Sequence, residues 1–387
     1  MAQLSELELL KASRNPLRVI DDLYKEALEG IPLKDEYIGL LKWYGMYPHI
    51  NKDGLEDKKY FMKRIKLVDA RMNLEQLRVM GEIGQKYAQG LVDFTTRQNV
   101  QFHYIEIKDI PAIFDLLNSV NLTSRMASGD GPRPIMTCPV TGIDEGEIYD
   151  VQNLLKEVDA YFDKNDDRFC NFPRKYKIGI SGCKCHCAAH EIQDVAFTAF
   201  KTEDNEVLFD LTIGGGLSKS KQIATRANKY LKPEQVLDVA VACAEIFRDN
   251  GNRENRNKAR VRHLLNDWGI EKFVETIEKA IGYKLKDGLE APVVASFENR
   301  NHFGINRQKQ AGLSYVGFAT NSGRVGGEDF VKFYEICKKY GAGGVALTAT
   351  QNFLVYDVKD EVVQSLAEEF EALGYPYAPN PFRARLQ

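Results

Sequence analysis

Four residues return at one constant offset of 253 positions: Tyr87, Thr95, Gln98 and Asn99 match Tyr340, Thr348, Gln351 and Asn352. The elements around them return in the same order. In the first copy Asn73 reads as an N-cap with Gln76 three residues on, and Leu74, Leu77, Met80, Ile83 and Tyr87 follow at helical spacing as far as Gly90. A strand-like run over 91–107 and a helix over 109–122 come next. In the second copy 328–340 reads as a helix stopped by Gly341, 343–358 as strand and 361–375 as helix. Such a duplication has to be recognised before a fold is assigned, because each copy must then satisfy the same packing. Copies that alternate strand and helix predict two-layer α+β half-domains, over 56–130 and 305–380. Between them, strands at 175–181, 194–200 and 208–213 and a helix at 233–251 predict an α/β domain over 131–290. Residues 1–55 read as an N-terminal helical extension and 287–304 as a linker.

Composition narrows the function classes. A net charge of −3, from 52 basic and 55 acidic residues, argues against a general nucleic-acid or polyanion binder. No apolar run reaches the roughly 18 residues that a membrane-spanning helix needs. The N-terminus alternates charge with leucine and lacks the apolar core of a signal peptide, which predicts a cytoplasmic protein. Thiols stay reduced there, so the seven cysteines point to metal ligands or buried thiols and not to disulfides.

The candidate chemistry is cationic. On a strand through 97–104, alternation sets Arg97, Asn99, Gln101 and His103 on one face. The matching face of the second copy reads Thr350, Asn352, Leu354 and Tyr356, so the scaffold repeats while the Arg and His do not. That asymmetry suggests a site on one copy only. Arg133 sits in a Gly- and Pro-punctuated loop, GDGPRPIMTCPVTGIDEGE. Lys175 and Lys177 share one face of a strand, with Arg174 and Tyr176 on the other. Two inward-facing ammonium groups require an anion to offset their desolvation. Arg forks bind oxyanions and Lys also donates protons, which suits removal of oxygen from a small oxyanion.

Three further segments carry ligand chemistry. Cys183, Cys185 and Cys187 follow a strand directly, with His186 and His190 nearby. The spacing is compatible with zinc, with an iron–sulfur centre, and with buried thiols. Gly214, Gly215 and Gly216 end another strand, where backbone N–H groups either cradle an anion or make a tight turn. The run Arg253, Arg256, Lys258, Arg260 and Arg262 is either a solvated helix face or a grip on a polycarboxylate cofactor.

Taken together, TTRQNVQFH, GDGPR with CPVTGID, PRKYKI and IGGGLS occur in the order and approximate spacing of the sirohaem- and [4Fe-4S]-dependent nitrite and sulfite reductases, which the chain resembles from about residue 41 onward. The resemblance implies duplicated ferredoxin-like half-domains with α/β domains, and six-electron reduction of nitrite to ammonia or of sulfite to sulfide. It implies Arg97, Arg133, Lys175 and Lys177 as residues for the substrate anion. Asn99, Gln101, His103, Gly214, Gly215, Gly216 and Arg256 become candidates for sirohaem. Ferredoxin or a flavoprotein is the implied electron donor.

Two departures follow. Pro134 stands after Arg133 where the family commonly has Asn. The family's cluster cysteines, C-x5-C and C-x3-C, lie beyond a segment like 379–387, so the second α/β domain is expected to be missing here, and to be encoded further along the same gene, lost to truncation, or supplied by another chain. Cys138, Cys183 and Cys187 echo that quartet in the first half, with Asp144 at the fourth position, and are the candidate metal ligands. A non-catalytic module binding sirohaem or a partner, and a metal-binding protein built on the cysteines, are the alternative functions.

Overall fold

The computed structural model describes residues 4–50, 56–183, 187–218, 220–288, 290 and 301–382. Most of the segment read as a linker therefore lies outside the described residues. The chain forms two compact units. One holds residues 1–18, 128–142 and 146–296; the other holds 19–127, 143–145 and 297–387. The predicted N-terminal extension is thus divided between them. Among the described residues no helix is long and apolar enough to cross a membrane.

The duplication is visible in the second unit as two five-stranded sheets. One runs Met46–Ile50, Glu56–Ile65, Val100–Ile105, Leu91–Phe94, Arg324–Gly326; the other runs Gly304–Arg307, Leu313–Phe318, Phe353–Lys359, Gly344–Leu347, Arg71–Asn73. Each copy lends a three-residue strand to the edge of the other's sheet. Helices Leu74–Tyr87 and Gly327–Tyr340 follow those lent strands and pack together. Glycine permits the approach: a Cβ on Gly327 would lie 3.0 Å from the carbonyl carbon of Gly84. The first helix opens with the predicted capping box, Asn73 Oδ1 accepting from Gln76 N at 2.9 Å and Gln76 Oε1 from Asn73 N at 3.0 Å.

The runs 91–107 and 343–358, read as single strands, are each a hairpin. The repeated residues make the turns. Asn99 N donates to Thr95 Oγ1 and Asn352 N to Thr348 Oγ1. Gln98 and Gln351 sit at φ of 57° and 60°, a left-handed backbone that reverses the chain. Their side chains then cross between copies: Gln98 Nε2 donates to Leu347 O at 3.0 Å, and Gln351 Nε2 to Phe94 O at 2.8 Å. Asn99 Oδ1 and Asn352 Oδ1 accept from Leu67 N and Thr320 N, again at equivalent positions. The four identities at offset 253 are therefore mostly the parts of a reciprocal lock.

The first unit has one sheet, in the order Lys286–Asp287, Thr225–Leu231, Val207–Ile213, Val195–Lys201, Ile178–Ser181, antiparallel except for its last pair. Helices Gln152–Lys164, Val236–Asn250, Val261–Trp268 and Ile270–Ile281 contribute apolar faces to a core that includes Phe172, Tyr176, Phe197, Phe209 and Phe247. The short helix Glu6–Ser13 reaches the same unit through Lys11, whose Nζ donates to Phe172 O at 2.8 Å and pairs with Glu8 and Asp130.

Two predictions follow from the duplicated unit. Gln98→Leu leaves the Leu347 carbonyl without its amide donor, and unfolding in denaturant should show a loss of about 1–3 kcal/mol. Gln351→Leu should cost a similar amount. Lys63, in the strand Glu56–Ile65, is wholly buried; its Nζ donates to Ser124 Oγ at 2.9 Å and lies 4.3 Å from the Phe114 ring centre. Burial pushes its pKa down to about 7. The unfolded chain therefore binds a proton over pH 7 to about 10 that the folded chain does not, and stability should rise with pH across that window. Lys63→Met should raise stability at pH 7 and flatten this dependence. An unchanged slope in the variant would assign it to other groups.

Candidate functional site

The loop that carries Arg133 is pinned along a neighbouring segment. Arg133 N donates to Tyr176 O at 2.8 Å, Tyr176 N to Gly131 O at 3.0 Å, Met136 N to Ile178 O at 3.0 Å and Ile180 N to Met136 O at 2.9 Å. Tyr176 turns into the core, stacking on Phe247 and donating from its hydroxyl to Ala240 O. Lys175 and Lys177 are half-buried on either side of it, as the alternation predicts. Arg174 differs from the expectation. The backbone bends at 173–174 before the extended stretch begins, and Arg174 lines the same cleft as Lys175.

That cleft, of about 260 Å³, is walled by Arg174, Lys175, Arg256, Arg260 and Arg262, with Ser218 and Ser220 at its edge. Two buried carboxylates hold its cations in place. Asp194, wholly buried, accepts from Arg260 Nε at 3.1 Å, from Arg260 Nη2 at 2.8 Å and from Lys177 N at 2.9 Å. Asp130, 3 % exposed, takes a fork from Arg256 at 2.7 and 3.0 Å and pairs with Lys11. Burial pushes the Asp130 carboxyl up, but Arg256, Lys11 and Arg174 outweigh it and hold it below the usual carboxylate range. Two carboxylates against these cations leave the cleft net positive. Burial, helped by Arg133, Arg260 and Arg174, pushes Lys175 down to about 8. Arg262 is 4 % exposed, and its Nε is buried with no hydrogen-bond partner among the described residues.

The three glycines serve this cleft differently from the expectation. Gly214 N donates to Asp194 O and Gly216 N to Gln222 O, so these two N–H groups are committed within the protein and do not cradle an anion. What the glycines provide is clearance: a Cβ on Gly216 would collide with Arg262 Nη1, and one on Gly215 with the carbonyl oxygens of Glu191 and Gln193. The carboxylates Asp130 and Asp194 carry no motif, and alternation sets Arg174 on the opposite strand face; Arg260 and Arg262 belong to the basic run whose cofactor-gripping reading their place in this cleft favours. An Asp opening the otherwise apolar strand run 194–200 was the available signal for the first anchor.

In the other unit Arg97 is half-buried in the hairpin turn, not on the strand. Asn99 is buried, and its side-chain amide is spent on Leu67 N and Arg97 O, which removes it from the polar face. Gln101 and His103 do share a face of Val100–Ile105. They belong to a polar row: Arg64 donates to Gln101, Gln101 meets His103 at 3.3 Å, His103 Nε2 meets Asp93 at 2.8 Å, and Arg324 donates to Asp93 at 2.9 Å. Burial pushes Asp93 up, but the bonds from His103 and Arg324 win and hold it low.

Cys138, Cys183 and Cys187 come together in the first unit, all buried, with each sulfur within 4.8 Å of the others. Cys185 and His186 lie outside the described residues. Asp144, the expected fourth ligand, is not in the group; it belongs to the second unit, where its backbone bridges to Gln308. Cys243 and Cys337 are buried helical thiols, as expected, and burial raises both.

Comparison with known proteins identifies the arrangement. Residues 128–285 match the family described as nitrite and sulphite reductase 4Fe-4S domain, and residues 53–120 and 306–373 each match the nitrite/sulfite reductase ferredoxin-like half domain. The chain belongs to the nitrite and sulfite reductase family of oxidoreductases. It is 33 % identical to sulfite reductase [ferredoxin] 1 of Mycolicibacterium paratuberculosis, covering 98 % of this chain and 70 % of that protein. It is 32 % identical to ferredoxin–nitrite reductase of Synechococcus elongatus, covering 98 % and 74 %. The structure of Mycobacterium tuberculosis NirA superposes with a TM-score of 0.90 at 32 % identity, over 98 % of this chain and 71 % of that one. The duplicated sheets are thus the family's ferredoxin-like half-domains, as the sequence predicts.

Sirohaem and a [4Fe-4S] cluster are this family's cofactors. The cleft fits the first: a net-positive wall with an orphaned Arg262 Nε suits a tetrapyrrole rimmed by carboxylates. The cysteine triad does not fit the second. A cluster takes four thiolates, each on a separate iron, and among the described residues only three converge.

The position of Lys175 sets a pH dependence. Its pKa is depressed, so the ammonium is present below about 8 and lost above it. Sulfite binding, followed by calorimetry across a pH series spanning that value, should weaken as pH rises. Lys175→Met should bind more weakly at low pH and show a flatter profile.

Proposed function

We propose that this chain is the substrate-binding portion of a nitrite or sulfite reductase, in which the cationic cleft receives the oxyanion and the carboxylates of sirohaem. The net positive charge held by Asp130 and Asp194 around Lys175 is the observation that carries this reading. Arg133, Lys175 and Lys177 are read as the oxyanion residues. Arg256, Arg260 and Arg262 are read as partners for cofactor carboxylates. Sirohaem, when bound, supplies the redox-active iron through which the six electrons reach nitrite or sulfite.

The side chains supply charge and protons. Each oxygen removed from nitrite or sulfite leaves as water and takes two protons. A lysine near pKa 8 is an ammonium at neutral pH and releases its proton without a large penalty. Arginine stays charged throughout and holds the anion while Lys175 cycles. The relatives named above carry ferredoxin in their names, which supports a ferredoxin-type electron donor.

The test uses the chain with sirohaem supplied. Sirohaem should bind with a defined visible spectrum, and sulfite or nitrite should perturb it. Lys175→Met should keep the sirohaem spectrum while weakening the oxyanion response by about 10–100-fold, the scale of one charged hydrogen bond. An unchanged response in Lys175→Met and Arg133→Met would remove the oxyanion assignment. A second reading, a non-catalytic sirohaem-binding module, draws on the lack of four converging cysteines among the described residues. It predicts a sirohaem spectrum that neither anion perturbs.

A further inference from the structure

The cysteine triad is not used by the cleft. Three buried sulfurs converge from two segments of one unit, at 1 %, 2 % and 3 % exposure for Cys138, Cys183 and Cys187. Each cysteine is held close to a fixed backbone. Met136, two residues before Cys138, is in the ladder with Ile178 and Ile180. The carbonyl of Gly182, adjacent to Cys183, accepts from Ile148 N at 2.8 Å and Tyr149 N at 3.1 Å. Gly182 must be glycine, since a Cβ there would overlap the Tyr149 carbonyl oxygen. The carbonyl of Ala188, next to Cys187, accepts from Gln193 Nε2 at 2.9 Å, and that same amide reaches Met136 Sδ. The donors are therefore presented by a frame that does not depend on the thiols bonding to one another. Ser181 Oγ adds a contact to Cys183 Sγ at 3.4 Å, the kind of outer partner that orients a metal ligand.

The spacing selects the kind of metal. Thiolates on one tetrahedral ion, at about 2.3 Å from it, lie about 3.8 Å apart. Thiolates on a cluster are further apart because they sit on different irons. Sulfurs already within 4.8 Å need to shift by an ångström or less to bind one ion. We infer that Cys138, Cys183 and Cys187 form a site for a single thiophilic divalent cation of the zinc type, in the half of the molecule that also carries Arg133, Lys175 and Lys177. The ion takes up three thiolates as their protons leave to solvent, and no electron is transferred. It ties Met136–Cys138 to Ser181–Cys183 and to Cys187, beyond the two segments that carry Arg133 and Lys175, and so has a structural role.

The full chain purified without chelator and under reducing conditions tests this by elemental analysis. Zinc at about one equivalent without acid-labile sulfide is expected. Cobalt exchanged into the site should give the intense thiolate-to-metal charge-transfer bands of a tetrahedral centre. Cys138→Ser, Cys183→Ser and Cys187→Ser should each abolish those bands, while Cys243→Ala, outside the triad, should keep them. Three freely alkylated thiols with no metal would overturn the inference, as would a disulfide within the triad, or iron with sulfide. Because the metal content of the unaltered chain is measured directly, a serine variant that fails to fold leaves the test intact.

Discussion

Like charges repel, and the cleft gathers Arg174, Lys175, Arg256, Arg260 and Arg262 in one region of one unit, with Arg133 near enough to repel Arg174 and Lys175. Asp194 and Asp130 make that possible. Each is buried, each holds an arginine by more than one hydrogen bond, and each also holds a second segment: Asp194 accepts from the backbone of Lys177, and Asp130 pairs with Lys11 of the N-terminal helix. A buried pair of this kind contributes little net stability but is costly to break, so its effect is to fix geometry. The carboxylates neutralise part of the charge and leave the remainder directed at the cavity. A cleft built in this way stays net positive without being filled by its own counter-ions.

Much of this was legible in the sequence, for identifiable reasons. The offset of 253 was readable because Thr95, Gln98 and Asn99 do a backbone task that recurs unchanged in Thr348, Gln351 and Asn352. The same residues were misread locally. Alternation placed Asn99 on a polar face, whereas a left-handed Gln98 folds the run into a hairpin and buries Asn99 against the backbone. Propensity describes a strand well and a side-chain-closed turn poorly, since the turn depends on hydrogen bonds to Leu67, Phe94 and Leu347 that lie far away in sequence.

The cationic site shows a similar division. Lys175 and Lys177 are half-buried on either side of the buried Tyr176, which is the alternation a local rule supplies, while of the two lysines only Lys175 is among the residues that wall the cleft. Arg174 joins the same cleft because the chain bends before the extended stretch, which local periodicity does not register. The glycine run was legible as special, but its use is steric: it admits Arg262 and the carbonyls of Glu191 and Gln193. Asp130 was illegible and Asp194 only faintly marked, as an Asp opening a largely apolar strand, because a buried aspartate is defined by its partners, which here arrive from 126 and 66 residues away.

The proposed function requires the cleft to hold a small oxyanion beside a carboxylate-bearing cofactor. A crystal structure of the chain grown with sirohaem and sulfite tests it most directly. The account predicts a sulfite oxygen within hydrogen-bond distance of Lys175 Nζ and the Arg133 guanidinium, with cofactor carboxylates on Arg256, Arg260 or Arg262. Sulfite bound away from Lys175, or sirohaem carboxylates that leave these arginines untouched, would contradict it.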